Sequence, residues 1–196
     1  MVFIMRYIEI PSNMLEKEAT LVGMIFLSRM ESNDKVCLKP SFLSKSEKED
    51  EFYERIKFEK AFCDIYEKIE HPEEVFIEVR QAGGVTVDGK FVWIYEDVPL
   101  AMVKEVHDKI KLFTADIKNS SLSPFEKTMA LYMIATHFID SDKGDGKDAD
   151  GKIIDSSVMH ILSDDDDGYK IQCAGYTDLF CRMAYECGIH TKEMQM

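Results

Sequence analysis

Positive charge is what this sequence most lacks. Its 196 residues carry 24 Lys and Arg against 37 Asp and Glu, a formal net charge of -13. Phosphate binding needs clustered Lys and Arg, so a nucleic-acid partner is excluded. Docking on anionic lipid is disfavoured on the same ground, whereas a basic partner or a divalent cation is compatible. Long hydrophobic runs are absent too, and no stretch approaches the length of a membrane span. The opening MVFIMRYIEIPSN lacks the basic start and sustained apolar run of a signal peptide, and Pro11 interrupts it. The cysteines, Cys37, Cys63, Cys173, Cys181 and Cys187, are odd in number and irregularly spaced, with no CxxC pair. That excludes a zinc knuckle or a thioredoxin-like motif and points to reduced thiols in a cytoplasmic protein. No internal repeat of fixed period is present.

What is present is an ordinary globular balance, 45% apolar and 31% charged, in a chain long enough to bury a core without staples. Residues 2–10 are β-branched and aromatic and read as a strand. Leu15, Ala19, Val22 and Phe26 recur at helical spacing in the segment that follows. Residues 31–50 are polar and broken by Pro40, the composition of a loop leading into a helix. Phe52, Ile56, Phe58, Phe62, Ile65 and Ile69 then line one side of an amphipathic helix whose charged residues form a solvated face. Val75, Ile77 and Val79 mark a strand, KFVWIY another, with Gly83-Gly84 and Asp88-Gly89 as turns of a small antiparallel meander. Pro99 opens a further helix from its first turn. Ser123, Pro124 and Glu126 begin the next one with a capping box.

The segment YKIQCAGYTDLFCRMAYECGI, Tyr169 to Ile189, holds three of the five cysteines. Its apolar residues keep helical spacing from Ala174 to Cys187, and Gly188 is placed to end the helix in the left-handed conformation. The helix then starts near Cys173. A thiol there faces unpaired N–H groups and the positive end of the helix dipole, both of which stabilise a thiolate. The same N–H groups are suited to holding an oxyanion on an attacked acyl carbon. A lone cysteine opening a helix is also commonly inert, and Cys181 and Cys187 read as core.

LSPFEKTMALYMIATHFI, a polar insertion, and SSVMHIL…GYKIQCAGYTDLFCRMAYECGI together resemble the first half of a transglutaminase-like domain, a papain-like cysteine enzyme family common in bacteria. Cys173, Gly175, Tyr176, Leu179, Phe180, Gly188 and Ile189 carry the resemblance over residues 121–191. It implies that Cys173 is the nucleophile in hydrolysis, deamidation or acyl transfer at amide bonds, on a protein or peptide substrate. Gly175 and Tyr176 would lie next to it, and the Cys173 N–H with Gln172 would serve as oxyanion donor. Ile171 stands where the family has glycine, and Thr177 where it has alanine. In the family the activating histidine and acid follow on strands well beyond the cysteine, whereas this chain runs only to Met196. His190 falls at the far end of the helix. His137 and His160 precede the cysteine, and would serve only in reversed chain order. His71 and His107 read as ordinary helix residues.

Ten aspartates lie between Asp140 and Asp167 with only three lysines. An EF-hand register with Gly151 sixth places Asp148 and Asp150 correctly, but leaves Gly146 first and Ser157 twelfth. Weak divalent binding by Asp142, Asp145, Asp148 and Asp150, calcium being the candidate, competes with a plain solvated loop. SDDDDG at 163–168 sets a negative field against thiolate formation at Cys173.

The expected architecture is α+β: an N-terminal region over 1–100 with helices and a small antiparallel sheet, then over 101–196 the helical half of a transglutaminase-like fold. The expected function is the N-terminal portion of a thiol enzyme with no cofactor, incomplete or inactive as this chain. Two alternatives stand beside it: a noncatalytic interaction module on the same scaffold, and a calcium-responsive acidic domain. An unfinished sheet edge beyond residue 190 would favour self-association.

Overall fold

The computed structural model describes residues 5–30, 35–137, 140–141, 158–162, 170–171 and 173–192. Its contacts divide the chain into two compact units, one built on residues 1–80, 95–107 and 192–196, the other on 81–94 and 108–191.

The first unit begins with strand β1 (Met5–Pro11), helix α1 (Glu18–Met30) and strand β2 (Lys35–Ser41). Short helix α2 (Lys45–Glu49) and helix α3 (Glu51–Asp64) lead to strand β3 (Val75–Val87), which turns through Asp88-Gly89 into strand β4 (Lys90–Pro99); of these two strands residues 75–80 and 95–99 belong to the first unit and residues 81–94 to the second. The strands stand in the order β1-β2-β3-β4. β1 and β2 run parallel, Tyr7 opposite Cys37 and Ile10 opposite Pro40. β2 and β3 are parallel as well, Leu38 opposite Ile77. The sheet is therefore mixed and mostly parallel, an α/β arrangement, and not the small antiparallel sheet that the sequence led us to expect.

The cause of that error is β2. Its Val36, Cys37 and Leu38 are all buried. A strand enclosed on both faces shows a continuous apolar run instead of alternation, and here the run is only three residues between lysines. Pro40, a loop breaker by residue type, sits inside the strand, near its end. Gly83 and Gly84 were read as a turn, yet β3 continues through them, and Asp88 and Gly89, both at positive φ, make the turn. Pro99 closes β4 and does not open the following helix.

Helix α3 buries Phe52, Ile56, Phe58 and Phe62 as its periodicity predicts, with the Phe58 and Phe62 rings 5.0 Å apart. Its charged side is not wholly solvated. Arg55 and Glu59 are buried. The Arg55 guanidinium donates to Glu51 Oε1 at 2.8 Å and stacks 4.4 Å from the Tyr95 ring. Glu59 Oε2 lies 3.2 Å from Nε2 of His107, also buried. His107 is thus part of an interior polar pair rather than an ordinary helix-face residue. Helix α4 (Leu100–Asn119) supplies it, and buries Leu100, Val103 and Val106 in the same unit.

Helix α1 forms where its periodicity places it, but Leu21 and Ile25 are the residues it buries. Ala19 and Phe26, expected on the core side, are exposed.

The second unit contains the end of α4, helix α5 (Pro124–His137), strand β5 (Asp140–Ser141), helix α6 (Val158–Ile161), strand β6 (Lys170–Ile171) and helix α7 (Cys173–Glu186). α5 packs on α7, and Leu131, Ala135, Leu179, Met183 and Ala184 are buried there. No helix among the described residues is long and apolar enough to cross a membrane.

Candidate active site

Helix α7 is the element on which an active site would be built, and its two ends are defined by sequence. Its first residue is Cys173. At the other end Gly188 adopts φ +73°, the Gly188 N–H donates to Tyr185 O and the Ile189 N–H to Ala184 O, each at 2.9 Å. Those two bonds are the Schellman motif, which satisfies carbonyls that the last turn would leave bare. Cys173 therefore stands where backbone N–H groups have no intrahelical acceptor. Its side chain and all of Gln172 lie outside the described residues. Gly175 is buried and Tyr176 is half-buried in the first turn of the helix.

Two features hold α7 in place. Arg182 Nε donates to Asp178 Oδ1 at 2.7 Å, and both side chains are almost fully buried. Near the other end, Lys118 Nζ bonds Glu186 Oε1 at 2.6 Å. α5 begins with the predicted capping box: the Ser123 N–H donates to Glu126 Oε2 at 2.8 Å and the Glu126 N–H to Ser123 Oγ at 3.3 Å. The Ser123 hydroxyl, which donates to Glu126 Oε2 at 2.6 Å, and the Ser123 N–H hold the Glu126 carboxyl below its ordinary pKa.

The elements that carry the remaining histidines meet near the start of α7. β5 follows directly on the end of α5, where His137 lies, and pairs parallel with β6, Ser141 opposite Ile171. α6, which carries His160, packs on β6 and α7. The side chains of His137 and His160 are outside the described residues. His190 is exposed beyond the opposite end of α7, about 20 Å away for a helix of 14 residues. His71 is exposed beside Glu73, and His107 is enclosed with Glu59.

The other described thiols are poor nucleophiles. Burial, together with a 3.2 Å hydrogen bond to Asp97 Oδ1, pushes the Cys37 thiol far above its ordinary pKa. Burial raises Cys187 as well. Cys63 and Cys181 are buried.

Asp142, Asp145, Asp148 and Asp150 lie outside the described residues. Among the described residues no group of His, Cys, Asp or Glu is arranged to hold a metal ion.

Two further polar clusters lie in the described residues. The Asp178–Arg182 pair was detectable: an acid and a base four apart, flanked by Leu179, Cys181 and Met183, sit on a helix apolar on most sides. The other cluster was not. Asp97 of β4 accepts from Tyr7 Oη of β1 at 2.6 Å and from Cys37 of β2, residues that only the sheet brings together. The hydrogen bond to the Asp97 carboxylate, with its charge, raises the Tyr7 hydroxyl pKa.

Compared with protein-family models, with curated proteins and with solved structures, the chain matches none.

Proposed function

We propose that the chain carries the nucleophile-bearing helical half of a transglutaminase-like thiol enzyme acting on amide bonds. In this reading the Cys173 thiolate attacks an acyl carbon, the amine departs, and a thioester forms for water or a second amine to resolve. The free N–H groups at the start of α7 stabilise first the thiolate and then the oxyanion. The observation that supports it is the span of α7. The helix starts on Cys173 and is closed by Gly188 and Ile189, the boundaries that the resemblance requires. His160 on α6 and His137 at the end of α5 are the candidate bases, in reversed chain order.

The test is thiol labelling of the folded 196-residue chain by iodoacetamide at pH 6, read by peptide mass spectrometry. Cys173 is expected to react at least about ten-fold faster than Cys187, a half-buried thiol with a raised pKa. His160→Ala or His137→Ala should slow it if either is the base. Equal, slow labelling of Cys173 and Cys187 would sink the enzyme reading.

A second reading, a noncatalytic interaction module, is favoured by the outer face of α5. Phe125, Tyr132 and Met133 are 73%, 58% and 56% exposed there. The Thr128 and Thr136 hydroxyls on the same helix turn back onto Pro124 O and Tyr132 O. Under this reading Cys173→Ala leaves function intact, whereas Phe125→Ser with Tyr132→Ser removes binding of the apolar dye ANS without lowering Tm.

A further inference from the structure

Helix α1 has too little polarity for a helix with one free side. From Glu18 to Met30 its only charged residues are Glu18 and Arg29. Arg29 is turned away to the Glu70 carbonyl and the Glu74 carboxylate. Leu21 and Ile25 are buried. That leaves a second apolar stripe, Ala19, Val22, Gly23 and Phe26, outside the core. A surface helix of a globular protein has one such stripe, and a helix apolar on both sides is covered on both sides.

The second stripe forms one wall of a groove of about 540 Å³, closed opposite by Lys68, Ile69 and Glu70. Gly23 lies in its middle. A glycine within a helix is destabilising by roughly 0.5–1 kcal/mol relative to alanine. Here no fold contact accounts for it, since a Cβ at Gly23 would meet nothing within 4 Å. The space above Gly23 is open to something that approaches the backbone closely. Phe26 and Leu27, 44% and 62% exposed, extend the apolar surface past the groove.

The rim is acidic. Glu18 and Glu70 line the groove, with Glu16 and Glu67 exposed next to them. The cations nearby are Lys17, Lys68 and Arg29; Lys68 is paired with Glu18 and Arg29 with Glu74, which leaves Glu16, Glu67 and Glu70 against Lys17. The whole chain adds a net charge of -13. An anionic amphiphile is repelled by this rim, and a neutral apolar ligand leaves its carboxylates unused.

From this geometry we propose that the α1 groove is a docking site for a basic amphipathic helix of another protein. The partner's apolar face packs on Ala19, Val22 and Phe26, its backbone approaches closest at Gly23, and its Lys or Arg flanks meet Glu70 with Glu16 and Glu67. This is helix-in-groove recognition with electrostatic selection of the partner. It does not rest on any role for Cys173.

The test uses the folded 196-residue chain and a fluorescein-labelled Leu/Lys peptide of about 14 residues, four turns of amphipathic helix, in about 0.15 M salt, where attraction between distant charges is screened. Fluorescence anisotropy should show saturable binding. A scrambled peptide of equal charge without an apolar face, and a Leu/Glu peptide with one, should each bind at least about ten-fold more weakly. Gly23→Leu, which fills the groove, should weaken the Leu/Lys peptide by at least about ten-fold with no drop in Tm. Ala19→Leu provides a second blocking variant if Gly23→Leu fails to fold. The proposal is overturned if the Leu/Lys peptide does not bind, if the scrambled peptide matches it, or if a folded blocking variant binds unchanged. A concentration-dependent dimer abolished by Gly23→Leu would also overturn it, assigning the groove to a second copy of the chain.

Discussion

Asp178 and Arg182 form a buried ion pair on one helix, a configuration whose value depends on both partners being present. Their mutual attraction offsets a desolvation cost of several kcal/mol per ion, and removing one partner leaves the other buried charge less well compensated. Asp178→Ala is therefore expected to destabilise the fold by about 3–5 kcal/mol in urea unfolding. Replacing both with apolar residues of similar size should cost much less. If the single and double variants lose the same stability, the pair is not the feature that matters. At the surface, Glu47 gives a pH test. The Ser12 hydroxyl and the Ser44 N–H hold its carboxyl down to about 2, against 4.5 for a free glutamate. The folded state thus favours the ionised form. Its contribution is present above pH 4.5 and disappears as pH falls toward 2. Wild type and Glu47→Gln should differ in Tm at pH 6 and converge near pH 2. A constant offset across that window would contradict the linkage. Of these contacts, Asp178 with Arg182 and the Ser44–Glu47 capping box are local in the chain. The contact between Ser12 and Glu47 joins residues far apart along the chain.

Helix ends were the most readable elements, because capping is local chemistry. Ser123 with Glu126, and Gly188 with Ile189, form the bonds that their order along the chain predicts. Two glycines sharpen this point with opposite signs. Gly188 is at φ +73° with nothing near its Cβ position, so Gly188→Ala is destabilising by about 1 kcal/mol through backbone strain alone. Gly23 sits in α1, equally uncrowded and with no positive φ, so Gly23→Ala should raise stability, by up to about 1 kcal/mol. Thermal unfolding of the two variants tests both, and shifts of the same sign would refute the assignment. Ser123→Ala is expected to lose about 1 kcal/mol with its cap. Strands were harder to read. The Asp88-Gly89 turn was legible because its residue types demand positive φ. β2 was not, since its few buried residues between lysines lack any periodicity.

In the whole molecule β2 lies between β1 and β3, and its consequence is cooperative. The amides of Val36, Cys37 and Leu38 should be among the slowest to exchange with deuterated solvent, because releasing them requires opening parallel pairings on both sides. Exchange at loop rates would rule out the sheet order described. Leu38→Ala should cost about 2–5 kcal/mol, since the side chain is fully enclosed. By itself the sequence determined much that depends on neighbours in the chain: the longer helices, the caps at Ser123 and Gly188, the Asp88-Gly89 turn, the acidic balance and the start of a helix at Cys173. Only the tertiary structure decided which strands pair and in what direction, which face of α1 enters the core, and which charges are enclosed. Those outcomes are set by contacts between residues tens of positions apart, and local periodicity contains no term for them.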